Sequence, residues 1–214
     1  MQLMTAPNAN LQAEELTAYE LGYRTLLSQR LSLDIALFDN RYRDLSQWDV
    51  GTPVLGMTPV PHLNVPFAYT NAASTLKTRG IEVVADWRPL DWMRLEGSYT
   101  YLHVSSPPPD GVNTYVAGTS PSHQYSLRWM MDLTAKAQLD LWLRHVGQLE
   151  AQDTEIPSYT ELDVRFGYAV SKQLDLSLVG QNLLDDRHSE FSETSSVPVS
   201  YIPRGVYAKA TWKF

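Results

Sequence analysis

The sequence predicts an all-β protein, an antiparallel up-and-down transmembrane β-barrel of which about nine strands lie in this chain. Three observations indicate this fold: segments whose apolar residues recur at every second position, a regular alternation of short and long connections, and a final strand that ends in aromatic residues. In that final strand, the apolar row is Val206, Ala208, Ala210, Trp212 and Phe214. A barrel strand would turn this row to lipid, with Trp212 and Phe214 in the aromatic girdle at the membrane interface.

Period-two alternation marks each predicted strand. Successive side chains of a strand point to opposite sides, so each segment has one apolar and one polar face. Around residues 31–37, for example, Leu33 and Ile35 alternate with Ser32 and Asp34. The segments span approximately residues 15–26, 31–37, 81–88, 93–101, 124–131, 138–144, 161–168, 174–181 and 206–214. The same pattern also suits the strands of a soluble sandwich, so the connections must separate the two folds.

The connections alternate in length along the chain. Short ones fall at 27–30, 89–91, 132–135 and 171–173, and long ones at 46–74, 105–121, 147–158 and 185–200. The long connections contain most of the 13 prolines. This order is typical of an up-and-down barrel with tight periplasmic turns at one rim and long external loops at the other, whereas a Greek-key sandwich has no reason to sort its loops. We therefore predict that residues 15–214 form one barrel domain and that residues 1–14 belong to an external loop.

The polar face of the predicted strands carries charges of both signs on neighbouring strands. Such a face predicts cross-strand ion pairs and water along a lumen. Its charged members are Asp34, Glu82, Asp86, Arg94, Glu96, Arg128, Asp140, Arg144, Asp163, Arg165, Lys209 and Lys213. Aromatic residues near the strand ends suit interfacial belts. They are Tyr19, Tyr23, Trp87, Trp92, Tyr99, Tyr101, Trp129 and Tyr168.

Composition narrows the function. The 214 residues carry 17 Lys and Arg against 24 Asp and Glu, which argues against a nucleic-acid partner because such a partner requires a basic face. The chain has no cysteine, so thiolate metal sites and cysteine nucleophiles are excluded. No run of about 18 apolar residues occurs, so no transmembrane helix is predicted. Residues 1–10 show neither the basic nor the apolar part of a secretion signal.

Motifs for catalysis and metal binding are not evident. The five histidines are scattered, and no two have the H-x-x-x-H spacing, so we predict no metal ligands and no cofactor. No phosphate-binding loop and no G-x-S-x-G are present. A barrel enzyme of the protease or phospholipase type remains an alternative, with His103, Ser105 and Ser106 as the place for its groups. A passive porin is a further alternative. We predict that the protein is not an enzyme.

Several stretches resemble one family, the TonB-dependent outer-membrane receptors that take up ferric siderophores and related scarce nutrients. Residues 10–14 (NLQAE) and 19–23 (YELGY) resemble the start of a mid-barrel strand, with Ala13 where proline is usual. Residues 79–82 (RGIE) resemble a strand-opening motif. Residues 180–185 (GQNLLD) are similar to the penultimate strand, although His188 stands where tyrosine is common. Residues 203–205 (PRG) and the terminal phenylalanine resemble the final strand. The matching positions are Glu20, Gly22, Gly80, Glu82, Asn182, Leu183, Asp185 and Phe214.

The resemblance covers the C-terminal barrel region of the family. It implies a portion of a barrel of about 22 strands, whose plug domain and TonB box are not found in this sequence. An odd number of up-and-down strands leaves the first and last parallel, so they could not close by antiparallel pairing. We therefore expect a fragment that is not a competent transporter alone. The implied partners are outer-membrane lipid and lipopolysaccharide, the TonB complex through the plug, the barrel assembly machinery through the C-terminal strand, and a ferric siderophore or similar ligand.

The resemblance also implies that substrate meets the external loops and the upper lumen. Aromatic and polar loop residues can grip the flat or anionic surfaces of ferric chelates. The candidates are Trp48, His62, Phe67, Tyr69, Tyr115 and His123. An alternative is that these aromatic residues pack the loops or touch lipopolysaccharide.

Overall fold

A computed structural model describes residues 2–57, 60–105, 120–151, 154–191 and 198–214. These residues form strands and no helix, and none of them belongs to a helix that could cross a membrane. The strands are β1 (Gln2–Thr5), β2 (Glu15–Ser28), β3 (Leu31–Arg43), β4 (Ser46–Val50), β5 (Val54–Gly56), β6 (His62–Asn71), β7 (Leu76–Leu90), β8 (Met93–Ser105), β9 (His123–Asp132), β10 (Ala137–Val146), β11 (Leu149–Ala151), β12 (Thr154–Ile156), β13 (Tyr159–Ala169), β14 (Leu174–Gln181), β15 (Arg187–Ser189), β16 (Tyr201–Pro203) and β17 (Gly205–Trp212).

Nine long strands make one antiparallel meander, as the alternation predicts. Their order is β17-β14-β13-β10-β9-β8-β7-β3-β2, so every strand pairs with its predecessor and successor among the nine. The connections between β2 and β3, β7 and β8, β9 and β10, and β13 and β14 are tight, and the intervening ones are long. The predicted up-and-down barrel sheet is confirmed.

Hydroxyl side chains close three of the tight turns. Ser28 Oγ accepts a hydrogen bond from the backbone of Arg30 at 3.1 Å. Thr134 Oγ1 accepts from the backbone of Ala137 at 3.0 Å, and Ser171 Oγ accepts from the backbone of Leu174 at 3.1 Å. Serine and threonine favour such turns because the side chain replaces a missing backbone partner.

The register places the apolar rows of all nine strands side by side. One row crosses eight of the nine strands as Leu31, Trp87, Leu95, Trp129, Leu141, Val164, Gly180 and Val206. We call this apolar side of the sheet the outward face and the opposite, polar side the inner face. From the row of Tyr101 to the row of Met93, the apolar band extends eight residue-to-residue steps, or about 27 Å along a strand. A tilted barrel strand needs about this length to span a membrane.

Within the described residues, no second layer packs on the outward face. Leu21 and Leu178 are 68% and 55% exposed although they lie in the centre of strands, and Val206 near the start of β17 is 66% exposed. A soluble sandwich would bury such residues between its sheets, so the sandwich alternative is wrong. The buried hydrophobic residues are few, and Val65, Ala72 and Leu76 among them lie in β6 or between β6 and the start of β7.

Some strands extend further than the alternation predicts. The strand expected to begin near residue 81 begins at Leu76, and in this extension the outward face carries Lys77 and Arg79. Asp39 lies beside Arg79 and forms an ion pair with it at 2.7 Å. These polar outward residues lie beyond the apolar band. The alternation of apolar and polar residues therefore covers only part of the strand.

A separate loop sheet lies above the long-loop end of the strands. It contains β4, β5 and β6 from the long connection after β3, together with β1, which pairs with β6 in parallel. Residues 2–5, which the sequence assigns to an external loop, are thus paired with the loop between β3 and β7.

Candidate functional site

Three of the predicted ligand residues meet on the loop sheet. The register of β4 and β6 sets Trp48 opposite Tyr69 and Val50 opposite Phe67, so these side chains share one face. The ring centroids of Trp48 and Tyr69 are 4.3 Å apart, and those of Trp48 and Phe67 are 5.0 Å apart. Trp48 is 59% exposed. We call this group of Trp48, Phe67 and Tyr69 the aromatic ledge.

The other predicted ligand residues do not join the aromatic ledge. His62 lies on β6 at an even position, so its side chain is on the opposite face from Phe67, and its Nδ1 lies 2.7 Å from the carbonyl oxygen of Val60. His123 lies on the outward face, where its Nδ1 is 2.9 Å from the hydroxyl of Tyr99. Tyr115 lies outside the described residues.

Polar contacts attach the loop sheet to the segment before β2. The carboxylate of Glu14 accepts hydrogen bonds from the backbone and the hydroxyl of Ser46, at 2.8 and 2.5 Å. These bonds lower the pKa of Glu14, because they stabilise its charged form. The amide nitrogen of Asn71 donates to the carbonyl oxygens of Asp44 and Gln12, at 2.6 and 3.0 Å. The base of the loop sheet is therefore held by side chains from three parts of the chain.

Ion pairs cross the inner face as the sequence predicts. Arg94 pairs with Asp86 on the neighbouring strand and with Glu96 on its own strand. Further cross-strand pairs are Arg24 with Asp34, Arg165 with Asp140 at 2.7 Å, and Lys213 with Asp175 at 2.6 Å. Near the tight turns, this face encloses an open cavity of about 840 Å³ whose lining includes both acidic and basic side chains. The inner face is therefore concave, charged and accessible.

A denser polar network lies at the long-loop end of the inner face. Arg144 on β10 binds Glu161 and Asp163 on β13, at 2.7 and 2.9 Å. Asp163 also accepts a hydrogen bond from the backbone of Asn182 at 3.0 Å. The side-chain amide of Asn182 donates to the carbonyl oxygen of Ile202 at 3.1 Å, and so joins the end of β14 to β16.

The positions that carry the family resemblance differ in what they contact. Asn182 is 1% exposed and has a positive φ of 50°, a conformation that asparagine tolerates better than most residues. A Cβ at Gly80 would lie 2.3 Å from the carbonyl oxygen of Tyr101 and 2.4 Å from the ring of Phe38. A Cβ at Gly22 would meet nothing within 4 Å.

The remaining resemblance positions are on strands or at their ends. Glu20 and Glu82 lie on the inner face of β2 and β7. Leu183 follows β14 and donates its backbone N–H to Leu162 at 2.9 Å. The carboxylate of Asp185 accepts a backbone hydrogen bond from Arg187, and Phe214 is fully exposed beyond β17.

One cluster was missed by the sequence analysis, which predicts no metal ligands. Glu161 on β13, His188 on β15 and Glu190 beside it bring three potential ligand atoms within 4.8 Å of one another. We call these three residues the rim cluster. The sequence offers one signal: His188 and Glu190 are two positions apart, and His188 stands where a tyrosine is common in the family. Glu161 is distant in the sequence and joins them only through the fold.

The residues considered for a barrel enzyme do not form such a group. His103 and Ser105 lie on the outward face of β8, in register with Arg79 and Lys77. Ser106 lies outside the described residues. Within the part of the chain that is described, His103 and Ser105 therefore lie on the outward face and away from the inner face.

The fold and the two faces define a class of protein: the sheet of an up-and-down barrel, apolar outside and charged inside, with long loops at one rim. Residues 2–183 match the family model of the TonB dependent receptor-like β-barrel. The chain therefore belongs to the TonB-dependent receptor β-barrel family. Members of this family are outer-membrane transporters and receptors and not enzymes. No curated protein matches the sequence.

Solved structures of siderophore receptors share the fold. The ferric-catecholate import receptor Fiu from E. coli K12 superposes with a TM-score of 0.72 at 18% identity, over 97% of this chain and 29% of that one. The siderophore receptor PirA from Acinetobacter baumannii gives 0.75 at 16% identity, over 98% and 33%. The ferripyoverdine receptor of Pseudomonas aeruginosa, bound to ferripyoverdine, gives 0.73 at 19% identity, over 95% and 28%. The chain thus spans about a third or less of these receptors.

Proposed function

We propose that this chain is part of a TonB-dependent outer-membrane receptor that takes up ferric siderophores or a similarly scarce nutrient. The observation that carries the proposal is the aromatic ledge, which is exposed on external loops of a barrel of this family. The fold is also that of receptors whose described ligands are ferric catecholates and ferripyoverdine. Barrels of this family are outer-membrane proteins, and we propose the same location for this one.

The aromatic ledge suits a flat, aromatic chelate. Exposed rings in mutual contact offer a rigid apolar surface, and aromatic pairs contribute about 0.5–1.5 kcal/mol beyond the area that they bury. Few rotatable bonds are lost when such a surface binds a ligand. Tyr69 adds a hydroxyl that can bond to a polar edge of the chelate. Energy for uptake would reach a plug inside the barrel from the TonB complex.

We also propose that the nine strands, residues 15–214, are the C-terminal portion of a larger barrel and that residues 1–14 belong to an external loop. In the described residues, β2 and β17 each have one unpaired edge, and they run in the same direction because an even number of antiparallel steps separates them. Unpaired backbone groups in lipid cost several kcal/mol each, so further strands would have to cover both edges. The barrel assembly machinery would then act on the C-terminal strand β17.

Lipid and lipopolysaccharide are the proposed partners of the outward face. The apolar band would contact acyl chains, and the cations beyond it, Arg41, Lys77 and Arg79, would lie at the level of the lipopolysaccharide head groups. Phosphate groups of such lipids attract exposed cations near the membrane surface.

The test of the proposed function is ligand binding by variants of the aromatic ledge. We expect Trp48→Ala combined with Tyr69→Ala to weaken binding of a ferric catecholate chelate about tenfold or more, because two contact surfaces are removed. The measurement is fluorescence titration of the receptor in detergent with ferric catecholate and ferric hydroxamate chelates, followed by growth on the same chelates under iron limitation. The matched control is Tyr23→Ala, which removes an equally exposed ring from the outward face. Equal affinity of the double variant and the wild type for every chelate would rule out the aromatic ledge as the binding surface.

A further inference from the structure

The rim cluster contains a histidine whose ring is buried and makes no hydrogen bond to the described residues. The side chain of His188 is 5% exposed, and neither ring nitrogen has a hydrogen-bond partner among the described residues. A buried imidazole without partners costs free energy, so native structures usually satisfy it. Here the acceptors are near, since Nε2 lies 3.5 Å from Glu190 Oε1 and 3.7 Å from Glu161 Oε1.

These distances are too long for hydrogen bonds and suitable for ligands of one cation. Charge-assisted bonds between a protonated imidazole and a carboxylate are about 2.7–2.9 Å long. Two ligands that are each about 2.1 Å from a tetrahedral Zn²⁺ lie about 3.4 Å apart. All three candidate ligand atoms are within 4.8 Å of one another. The geometry is therefore that of three ligands arranged around one common point.

Neighbouring side chains orient the three ligands. Arg144 binds Oε2 of Glu161 at 2.7 Å, which leaves Oε1 directed at His188. The ring of Tyr159 stacks on that of His188, with centroids 4.0 Å apart and planes at 14°. The hydroxyl of Tyr159 donates to Oε1 of Glu190 at 3.3 Å. Side chains held by such contacts lose less conformational entropy when they bind a metal, because their rotamers are already restricted.

The charges also favour a divalent cation. The side chains of the rim cluster, Asp163 and Arg144 include three carboxylates and one guanidinium, and the guanidinium contacts only Glu161 and Asp163, so the acidic groups outnumber the basic one by two. One divalent ion would neutralise this excess. An imidazole nitrogen with two carboxylate oxygens suits Zn²⁺ and related transition metals better than Mg²⁺ or Ca²⁺, which prefer oxygen ligands alone.

We propose that Glu161, His188 and Glu190 form a divalent transition-metal site, best matched by Zn²⁺, which fastens the loop containing β15 to the inner wall of the sheet. Glu161 belongs to barrel strand β13, whereas His188 and Glu190 belong to the external loop between β14 and β17. A bound ion therefore joins loop and wall. Glu190 is 46% exposed, so the site opens toward solvent and can keep a water as its fourth ligand. The inference does not depend on which nutrient the receptor transports.

The test compares zinc binding by two matched histidine variants. The protein is extracted in detergent from the cells that produce it, and a chelator removes any bound metal. It is then titrated with zinc chloride in a calorimeter. We expect the wild type to bind zinc and His188→Tyr to bind at least about tenfold more weakly, because loss of a ligand costs no less than loss of a residue that orients one. His103→Tyr makes the same exchange at an exposed histidine of the outward face and should bind like the wild type.

The variant Glu190→Gln keeps the test valid if His188→Tyr fails to fold. Its side chain is partly exposed, so the substitution should leave the fold intact and still weaken zinc binding at least about tenfold. A second readout is hydrogen exchange of the β15 amides, which zinc should slow in the wild type and in neither variant of the rim cluster. The proposal is overturned if the wild type binds no zinc at micromolar concentrations, or if His188→Tyr and Glu190→Gln both bind it with unchanged affinity.

Discussion

At the scale of single residues, the two glycines of the family resemblance have different physical roles. Gly80 lies where β7 passes so close to Phe38 and to the backbone of Tyr101 that no Cβ fits. Gly22 lies on the inner face of β2 in open space. Both glycines match the family motifs. Packing requires a glycine at position 80 and does not require one at position 22.

A pair of substitutions tests this difference. Gly80→Ala should destabilise the folded barrel by about 1–3 kcal/mol, because a backbone oxygen cannot move aside as a flexible side chain can. Gly22→Ala, the matched control, should change stability by less than about 0.5 kcal/mol. The measurement is urea unfolding of both variants in detergent, followed by intrinsic fluorescence. Equal midpoints for the two variants would show that the contact at Gly80 is relieved without cost.

At the scale of elements, the loop sheet is a small unit attached to the barrel strands by polar contacts. Its strands come from two distant parts of the chain, and β1 pairs with β6 in parallel. The hydrogen bonds of Glu14 and Asn71 hold its base. Because these contacts are few, the position of the aromatic ledge depends on a small number of polar side chains.

One of these attachments should respond to pH. The pKa of Glu14 is lowered in the folded state, so its contribution is complete above the ordinary value of 4.5 and is lost as the pH falls through the lower, folded value. We expect the amide of Ser46 to lose protection in wild type between neutral pH and about pH 3, relative to Glu14→Gln, whose amide does not titrate. The measurement is hydrogen exchange by mass spectrometry of the β4 peptide. Parallel profiles for the two proteins would exclude this carboxylate as the cause.

At the scale of the whole molecule, the nine strands make one curved wall and not a closed barrel. The outward face is apolar over a membrane's width, the inner face carries ion pairs, and both edge strands keep unpaired backbone groups in the described residues. A closed barrel removes such edges, and an open sheet in lipid does not. In the proposed larger barrel, further strands would cover both edges of this wall and close it around the transport path.

The open edges of the sheet predict how the 214-residue polypeptide behaves when it is produced alone. Refolded into detergent, it should give no compact species whose gel mobility changes on heating, because its sheet cannot close. A longer polypeptide that supplies the proposed missing strands should give one. A stable, heat-modifiable species formed by the 214 residues alone would contradict the proposal that they are part of a larger barrel.

Local patterns made the barrel sheet predictable. Alternation, turn residues such as Ser28 and Thr134, and the order of short and long connections are properties of neighbouring residues, so they can be read without a structure. The ends of the long strands were missed because the outward face becomes polar beyond the apolar band, as at Arg79. Individual loop aromatics could be proposed as ligand residues, but their mutual arrangement could not.

The sequence by itself determined the strand order, the two faces and the family, because each depends on periodicity or on short motifs. Only the tertiary structure decided which distant residues meet. Pairing of β4 with β6 brought Trp48 to Tyr69 and turned His62 away from them, and the loop after β14 brought His188 to Glu161. The physical reason is that these contacts depend on strand register and loop path, which are set by the packing of the whole chain and leave no local signature in it.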